Sequence, residues 1–334
     1  MGSFGINAKP LPEKDFLTVP AGKGVYELAF DASRNVLFVA SAPSFDKDKT
    51  HGLVYTLSPD TLAATGNIAT DRRAFATVLD QENHILYIGN TLEGSVTLID
   101  TRNGKEIKTV QLSDMSNPEA IIHTREMVLD KKHQRLYVSG VAEKGIIWVI
   151  DTQKLQHIAT IENVGEYPTG LAIDEQKGRI YAVNGIGELI TLDASDNKII
   201  SRVKVEPQKK HFFLNIAVDN KNERAFITDP DLPDVLVVSL NDGKILHRID
   251  VTNSLAVIYN AARHEIYITH RNAKLISIVD SKTYKVKSSI STTALPNSLA
   301  LSPDGNTLYA SVKQGEKEML TQPDYIIKVD LNKI

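Results

Sequence analysis

The chain has 334 residues, of which 42% are hydrophobic and 24% charged, and its formal net charge is −3. This composition is typical of a globular protein, and the slightly acidic balance argues against a duplex-DNA protein with a global basic field. The sequence has no cysteine and no apolar run of 18 residues. We therefore expect no membrane span, and the lack of thiols favours an exported protein.

The N-terminal stretch MGSFGINAKPLPEKD lacks the charged-then-apolar pattern of a signal peptide, and Met1-Gly2-Ser3 has the look of an expression scar. We interpret residues 1–14 as a disordered tail or such a scar. A natural signal sequence is then expected to be missing from this chain.

Seven internal repeats dominate the rest of the sequence. Each has an apolar triplet, a polar turn of about five residues and an apolar-aromatic-apolar run. In chain order they are LAFDASRNVLFVAS (28–41), TVLDQENHILYIGN (77–90), MVLDKKHQRLYVSG (127–140), LAIDEQKGRIYAVN (171–184), IAVDNKNERAFITD (216–229), VIYNAARHEIYITH (257–270) and LALSPDGNTLYASV (299–312). The shared aromatic residues, 41 to 50 positions apart, are Phe38, Tyr87, Tyr137, Tyr181, Phe226, Tyr267 and Tyr309.

Each repeat continues with a third strand and, in most copies, a more polar fourth strand, as in SVTLIDTRNGK followed by EIKTVQL. Four strands per unit, joined by Asn-Gly and Asp-Gly types of turn, are typical of a β-propeller. No segment has a sustained helical period. The sequence therefore predicts an all-β fold, a seven-bladed β-propeller of four-stranded antiparallel blades.

The seventh repeat supplies strands at 297–302, 307–312 and 325–331, and no fourth strand follows. The segment DFLTVP (15–20) precedes the first blade and belongs to no other repeat. We predict that this N-terminal strand completes the last blade, which would remove an open sheet edge. Residues 15–334 would then form a single propeller domain.

Acidic residues follow the first strand of five repeats at the start of the polar turn. An aspartate there can accept a hydrogen bond from the backbone two or three residues later and so begin the turn. We assign that structural role to Asp31, Asp80, Asp130, Asp174 and Asp219. We likewise expect the single tryptophan, Trp148, to pack between blades.

Loops that precede the first strand of a blade and loops that follow its second strand lie on one face of a propeller. In this chain these loops carry mostly positive charges, with aromatic residues between them. Lysine and arginine suit phosphates, and aromatic rings suit unstacked bases. Our candidate binding residues are Lys23, Arg72, Arg73, Arg125, His211, Phe212, His270, Arg271 and Lys313. A small anionic ligand would use the same residues. The alternative to both is that these residues form a solvent-exposed rim that binds no ligand.

The stretch KKHFFLN (209–215) precedes the first strand of the fifth repeat. Adjacent side chains alternate faces in extended backbone. We therefore predict that Phe213 faces the core, while Phe212 stays near the surface with His211 as a stacking platform.

Two acids and an amide occupy positions just before the first-strand triplets, namely Glu27, Glu126 and Asn215. These positions are expected to surround the central channel. One reading is structural hydrogen bonding to neighbouring blades. The alternative is a metal site of a lactonase-like hydrolase, which needs three or more converging ligands.

The repeat resembles the YVTN family of seven-bladed propellers, and more closely its YncE-like branch. The segments that carry the resemblance are GKGVYELAF (22–30), REMVLD (125–130), HFFLNIAVD (211–219), THR (269–271), NSLALSPDGNTLYASVKQ (297–314) and TQPD (321–324). The resemblance implies a periplasmic, non-enzymatic protein that binds single-stranded DNA. We expect a monomer without a cofactor. A further alternative is that the propeller is a scaffold that binds a protein partner in the cell envelope.

Overall fold

The computed structural model describes residues 8–46 and 48–334, and within them the strands form seven separate sheets with four-stranded antiparallel cores. Blade 1 comprises Val25–Asp31, Val36–Ser41, Gly52–Leu57 and Ala64–Thr70; blade 2 Ala76–Asp80, Ile85–Asn90, Ser95–Asp100 and Lys105–Gln111; blade 3 His123–Asp130, Arg135–Val141, Ile146–Asp151 and Gln156–Ile161; blade 4 Leu171–Asp174, Arg179–Val183, Glu188–Asp193 and Lys198–Lys204. Blade 5 comprises Asn215–Asp219, Arg224–Thr228, Val235–Ser239 and Ile245–Ile249; blade 6 Val257–Asn260, Glu265–His270, Leu275–Asp280 and Val286–Ser291; blade 7 Leu295–Leu301, Thr307–Lys313, Tyr325–Asp330 and Phe16–Pro20. The seven-bladed β-propeller is confirmed.

Helical structure in the described residues is limited to short 3₁₀ turns at Glu13–Asp15, Pro118–Ala120, Glu318–Leu320 and Leu331–Lys333. None of these turns, nor any other described segment, has the length and apolar character of a membrane-crossing helix.

The burial of each strand follows from its place in the blade. In blade 4 the second and third strands are almost entirely buried, because neighbouring side chains cover both faces. The fourth strand, KIISRVK, is mostly exposed. The shared aromatic residue lies in the second strand and is buried in all seven blades, and Trp148 is buried in the third strand of blade 3.

The N-terminal segment completes blade 7 as predicted. Phe16–Pro20 pairs antiparallel with Tyr325–Asp330, in a register that runs from Phe16 opposite Val329 to Pro20 opposite Tyr325. Just before it, Lys9–Pro10 pairs parallel with the outer strand of blade 6, and Ser288 Oγ donates to the Lys9 carbonyl at 2.8 Å. Residues 1–7 of the predicted tail lie outside the described part of the chain.

The five predicted aspartate turns are present. In each, the aspartate Oδ1 accepts a hydrogen bond from the backbone N–H three residues later, at 3.0 to 3.3 Å. The residue that follows this N–H has a positive φ, between 51° and 64°. The carboxylate therefore holds a turn whose last residue is in the left-handed region.

Contacts divide the chain into two compact units. The first unit comprises residues 1–90, 97–108 and 258–334, and the second comprises residues 91–96 and 109–257. Within each unit, a buried hydroxyl of a second strand donates to a backbone carbonyl of the next blade. Ser139 Oγ donates to Thr169 at 2.8 Å, Thr228 Oγ1 to Leu255 at 2.8 Å, and Thr269 Oγ1 to Asn297 at 3.3 Å.

Two of these hydroxyls also accept hydrogen bonds from their own blades. Thr228 Oγ1 accepts from the Asn215 N–H at 3.1 Å, and Ser139 Oγ accepts from the Glu126 N–H at 3.0 Å. One hydroxyl thus ties the start of a first strand to the following blade.

Replacing Thr228 with the isosteric valine tests this bridge. The variant leaves the Asn215 N–H without its acceptor, and we expect the free energy of unfolding to fall by about 1–3 kcal/mol. Denaturant unfolding should show a lower midpoint at an unchanged m-value. The matched control is Thr293→Val at an exposed threonine; equal stabilities for the two variants would contradict the assignment.

Candidate functional site

An aromatic and cationic cluster in the first unit is made by Tyr26, Phe45, Phe75 and Lys313. The Lys313 Nζ lies 3.7 Å from the centre of the Tyr26 ring and 5.8 Å from that of Phe45. Phe75 joins the rings, with centroid distances of 4.6 Å to Tyr26 and 6.3 Å to Phe45. Phe45 is 54% exposed, so this cluster, here called the aromatic–lysine cluster, presents an accessible ring face.

Asp324 fixes two members of the cluster through backbone hydrogen bonds. Its Oδ2 accepts from the Val25 N–H at 3.0 Å, and its Oδ1 accepts from the Gln314 N–H at 2.8 Å. Val25 precedes Tyr26 and Gln314 follows Lys313 in sequence. Asp324 is only 3% exposed, so a buried carboxylate holds together the two backbone segments that carry Tyr26 and Lys313.

Arg73 supports the loop that carries Phe45. The side chain is buried, and its Nη1 donates to the Ser44 and Asp46 carbonyls at 3.3 and 3.4 Å. Its own carbonyl accepts from Asn90 Nδ2 at 2.9 Å. Arg73 thus positions an aromatic residue by its hydrogen bonds on either side of Phe45.

The other predicted cations of the first unit have different surroundings. Lys23 is exposed, and Arg72 and Arg271 are half-buried. The charge of Arg72 acts on a neighbouring acid, Glu106. Burial and the charge of Asp71 raise the pKa of Glu106, and the charge of Arg72 opposes this rise. His270 is fully buried, with Nε2 at 2.7 Å from Ser277 Oγ; its ring packs inside blade 6.

In the second unit, KKHFFLN places His211 between two buried carboxylates. His211 Nδ1 lies 2.9 Å from Asp229 Oδ2, and Nε2 lies 2.7 Å from Glu206 Oε1. Glu206 also forms an ion pair with Arg248. The predicted surface position of His211 is therefore wrong, because both ring nitrogens are engaged by acids that lie in the interior.

The same carboxylates set the charge of the histidine. Burial acts to lower the pKa of His211, but the hydrogen bonds of Asp229 and Glu206 outweigh it and raise that pKa above its ordinary value of 6.5. Burial acts to raise the pKa of Glu206, yet the hydrogen bonds from Arg248 and His211 bring it below its ordinary value. The site favours an imidazolium between two carboxylates.

The two phenylalanines behave as predicted. Phe213 is fully buried in the core, and Phe212 is half-buried. The Phe212 N–H donates to Asp229 Oδ2 at 3.1 Å, and its ring lies 6.2 Å from that of Tyr167. The His211 cluster therefore anchors the backbone of a second aromatic pair. Arg125, the remaining predicted cation, is half-buried beside Glu126.

Glu27 and Asn215 form side-chain hydrogen bonds of the kind that the structural reading expects, and Glu126 is half-buried. Glu27 Oε1 accepts from the Thr77 N–H of blade 2 at 3.2 Å, and Asn215 Nδ2 donates to the Leu255 carbonyl at 2.8 Å. Burial raises the pKa of Glu126 to about 7, although Arg125 opposes it. Across the described residues, no group of three or more His, Cys, Asp or Glu side chains could hold a metal ion.

Sequence reasoning missed Tyr26, Asp324 and Glu206. Tyr26 lies in the first strand of blade 1, just before its apolar triplet, and could have been found by asking which aromatic residues flank the apolar triplets. Asp324 and Glu206 carry no such signal. Asp324 acts through the backbone N–H of Val25, far away in sequence, and Glu206 acts through the side chains of His211 and Arg248.

Comparison with known proteins agrees with this architecture. The sequence model described as "YNCE-like beta-propeller" matches residues 25–324. The chain belongs to the YncE-like β-propeller family. It is 41% identical to YncE of Salmonella typhi over 326 residues, which cover 96% of this chain and 92% of that protein. It is also 41% identical to YncE of Escherichia coli K12 over 323 residues, 95% of this chain and 91% of that one.

A solved structure extends the likeness in fold. The hydrazine synthase of Kuenenia stuttgartiensis superposes with a TM-score of 0.70 at 17% identity, over 87% of this chain and 94% of that chain. At this identity the likeness concerns the propeller fold alone.

The charge state of His211 predicts a pH dependence of stability. Because its folded pKa is raised, its contribution is fully present below the unfolded value of about 6.5 and is lost as pH rises through the folded value. We expect the stability difference between wild type and His211→Gln to shrink from pH 6 toward pH 9, as measured by denaturant unfolding.

The exposed His51 offers a matched control, His51→Gln. Its difference from wild type should stay flat over the same range. A gap for His211→Gln that grows with pH would contradict the imidazolium assignment.

Proposed function

We propose that this protein is a non-enzymatic binding protein of the periplasm that holds single-stranded DNA on the surface around the aromatic–lysine cluster. The observation that carries the proposal is the ammonium of Lys313 held 3.7 Å over the Tyr26 ring, next to the exposed ring of Phe45. Single-stranded nucleic acid needs both elements, a cation for the phosphate and an aromatic face for the base.

Further residues of the first unit support this assignment. Lys23, Arg72 and Arg271 carry exposed or half-buried positive charge, and Arg73 holds the Phe45 loop. In the proposal Arg73 and His270 act as positioning residues, because both are buried. A part in DNA binding for three residues of the second unit, Arg125, His211 and Phe212, stays a prediction. In it, His211 would position Phe212.

Binding of a labelled oligonucleotide to Phe45→Ala tests the stacking element. Loss of one base–aromatic stack, about 1–3 kcal/mol, should weaken binding about 5- to 150-fold. An abasic oligonucleotide, which keeps the phosphates, should bind wild type and Phe45→Ala equally. The control is Leu17→Ala at another exposed apolar residue on the outer strand of blade 7.

Salt titration tests the cationic element. Lys313→Gln should reduce the slope of log affinity against log salt by about 0.7, the value for one phosphate contact on a single strand. The pair Arg72→Ala and Arg271→Ala should reduce it further, and Lys282→Gln, an exposed lysine outside the surface, should leave it unchanged. No binding at low salt, or binding that none of these variants alters, would overturn the proposal.

A further inference from the structure

A cavity of about 680 Å³ lies in the second unit, between the loops of blades 3 and 4. Its walls come from the turn after the second strand of blade 3, the connection between the two blades, and the outer strand of blade 4. Its volume lies in the range of about 300–1,000 Å³ that is usual for small-molecule sites. No residue of the aromatic–lysine cluster takes part in it.

The backbone of this cavity is closely packed. The Gly145 N–H donates to the Gly165 carbonyl at 3.0 Å, which ties the two loops together. Gly165 has a φ of +81°, and a Cβ there would lie 2.2 Å from Asn184 Nδ2 and 2.9 Å from Glu188 Oε1. Glycine is therefore required, and the loop is held directly against a buried carboxylate.

That buried carboxylate holds an arginine at the cavity. Glu188 is 7% exposed, and its oxygens accept from Arg202 Nη1 at 3.1 and 3.3 Å. Arg202 keeps Nε and Nη2 without a hydrogen-bond acceptor among the described residues, and its side chain is 38% exposed. A fixed guanidinium with unused donors is suited to bind a ligand carboxylate.

The remaining charges of the lining are mostly negative. Glu143, Glu162 and Glu166 are exposed at the cavity and form no ion pair with any described residue. Lys144 is the other cation, so three carboxylates face two positive groups. Such a lining repels a polyanion and is complementary to a ligand with two amino groups and one carboxylate.

We propose that this cavity binds a basic amino acid or a short basic peptide. Its carboxylate would accept from Arg202, its amino groups would meet the three glutamates, and its alkyl chain would lie along Ile186. The site is separate from the proposed single-stranded DNA surface, and each can fail without the other.

Calorimetric titration of the full chain with L-lysine and with lysyl-lysine tests the site. We expect saturable binding of at least one of them. Norleucine, which lacks the side-chain amine, and cadaverine, which lacks the carboxylate, should bind at least about ten-fold more weakly. No saturable heat with either lysine probe up to about 10 mM would overturn the proposal.

Variants connect binding to the cavity. The pair Glu162→Gln and Glu166→Gln removes exposed charges and should weaken lysine binding about 2- to 30-fold. The matched pair Glu82→Gln and Glu119→Gln, both exposed and outside the cavity, should not. Arg202→Lys keeps a cation beside Glu188 and should reduce the preference for lysine over cadaverine. If wild type and the variant with Glu162→Gln and Glu166→Gln bound lysine with equal affinity, the ligand would bind outside this cavity and the proposal would be overturned.

Discussion

Hydrogen bonds from single buried side chains to backbone groups of the next blade are the interaction on which both the fold and the candidate site depend. Thr228 joins blade 5 to the Leu255 carbonyl, and Asp324 joins the strand that begins at Val25 to the strand that ends at Lys313. Each of these groups is almost inaccessible to water. Buried polar groups that lose their partners are costly, so these bonds fix neighbouring sheets at a defined spacing.

The repeat itself contained nearly all the information needed for the fold. The apolar triplets, the shared aromatic residues and the leftover segment DFLTVP predicted the seven blades and the pairing of Phe16–Pro20 with Tyr325–Asp330. These features are readable because strand burial imposes a short-range pattern on the sequence. The aspartate turns were predictable for the same reason, since donor and acceptor lie three residues apart.

The candidate site was less accessible to sequence reasoning. Side-chain alternation placed Phe213 and Phe212 correctly, but residue type alone does not reveal that His211 meets Glu206 of its own loop and Asp229, which follows the second strand of blade 5. Similarly, Arg73 looks like a surface cation in sequence and is instead a buried support for the Phe45 loop. Charge and residue type identify candidates, whereas burial decides which of them can meet a ligand and which hold another residue in place.

The pairing of the two chain ends in blade 7 has a consequence for biosynthesis. Phe16–Pro20 leaves the ribosome long before its partner strand Tyr325–Asp330. At typical synthesis rates of about 5–20 residues per second, the early strand waits roughly 15–60 s for its partner. During this interval Phe16–Pro20 lacks its partner strand in blade 7, and the native state is completed only by a contact of very long sequence separation, which is a slow class of folding step.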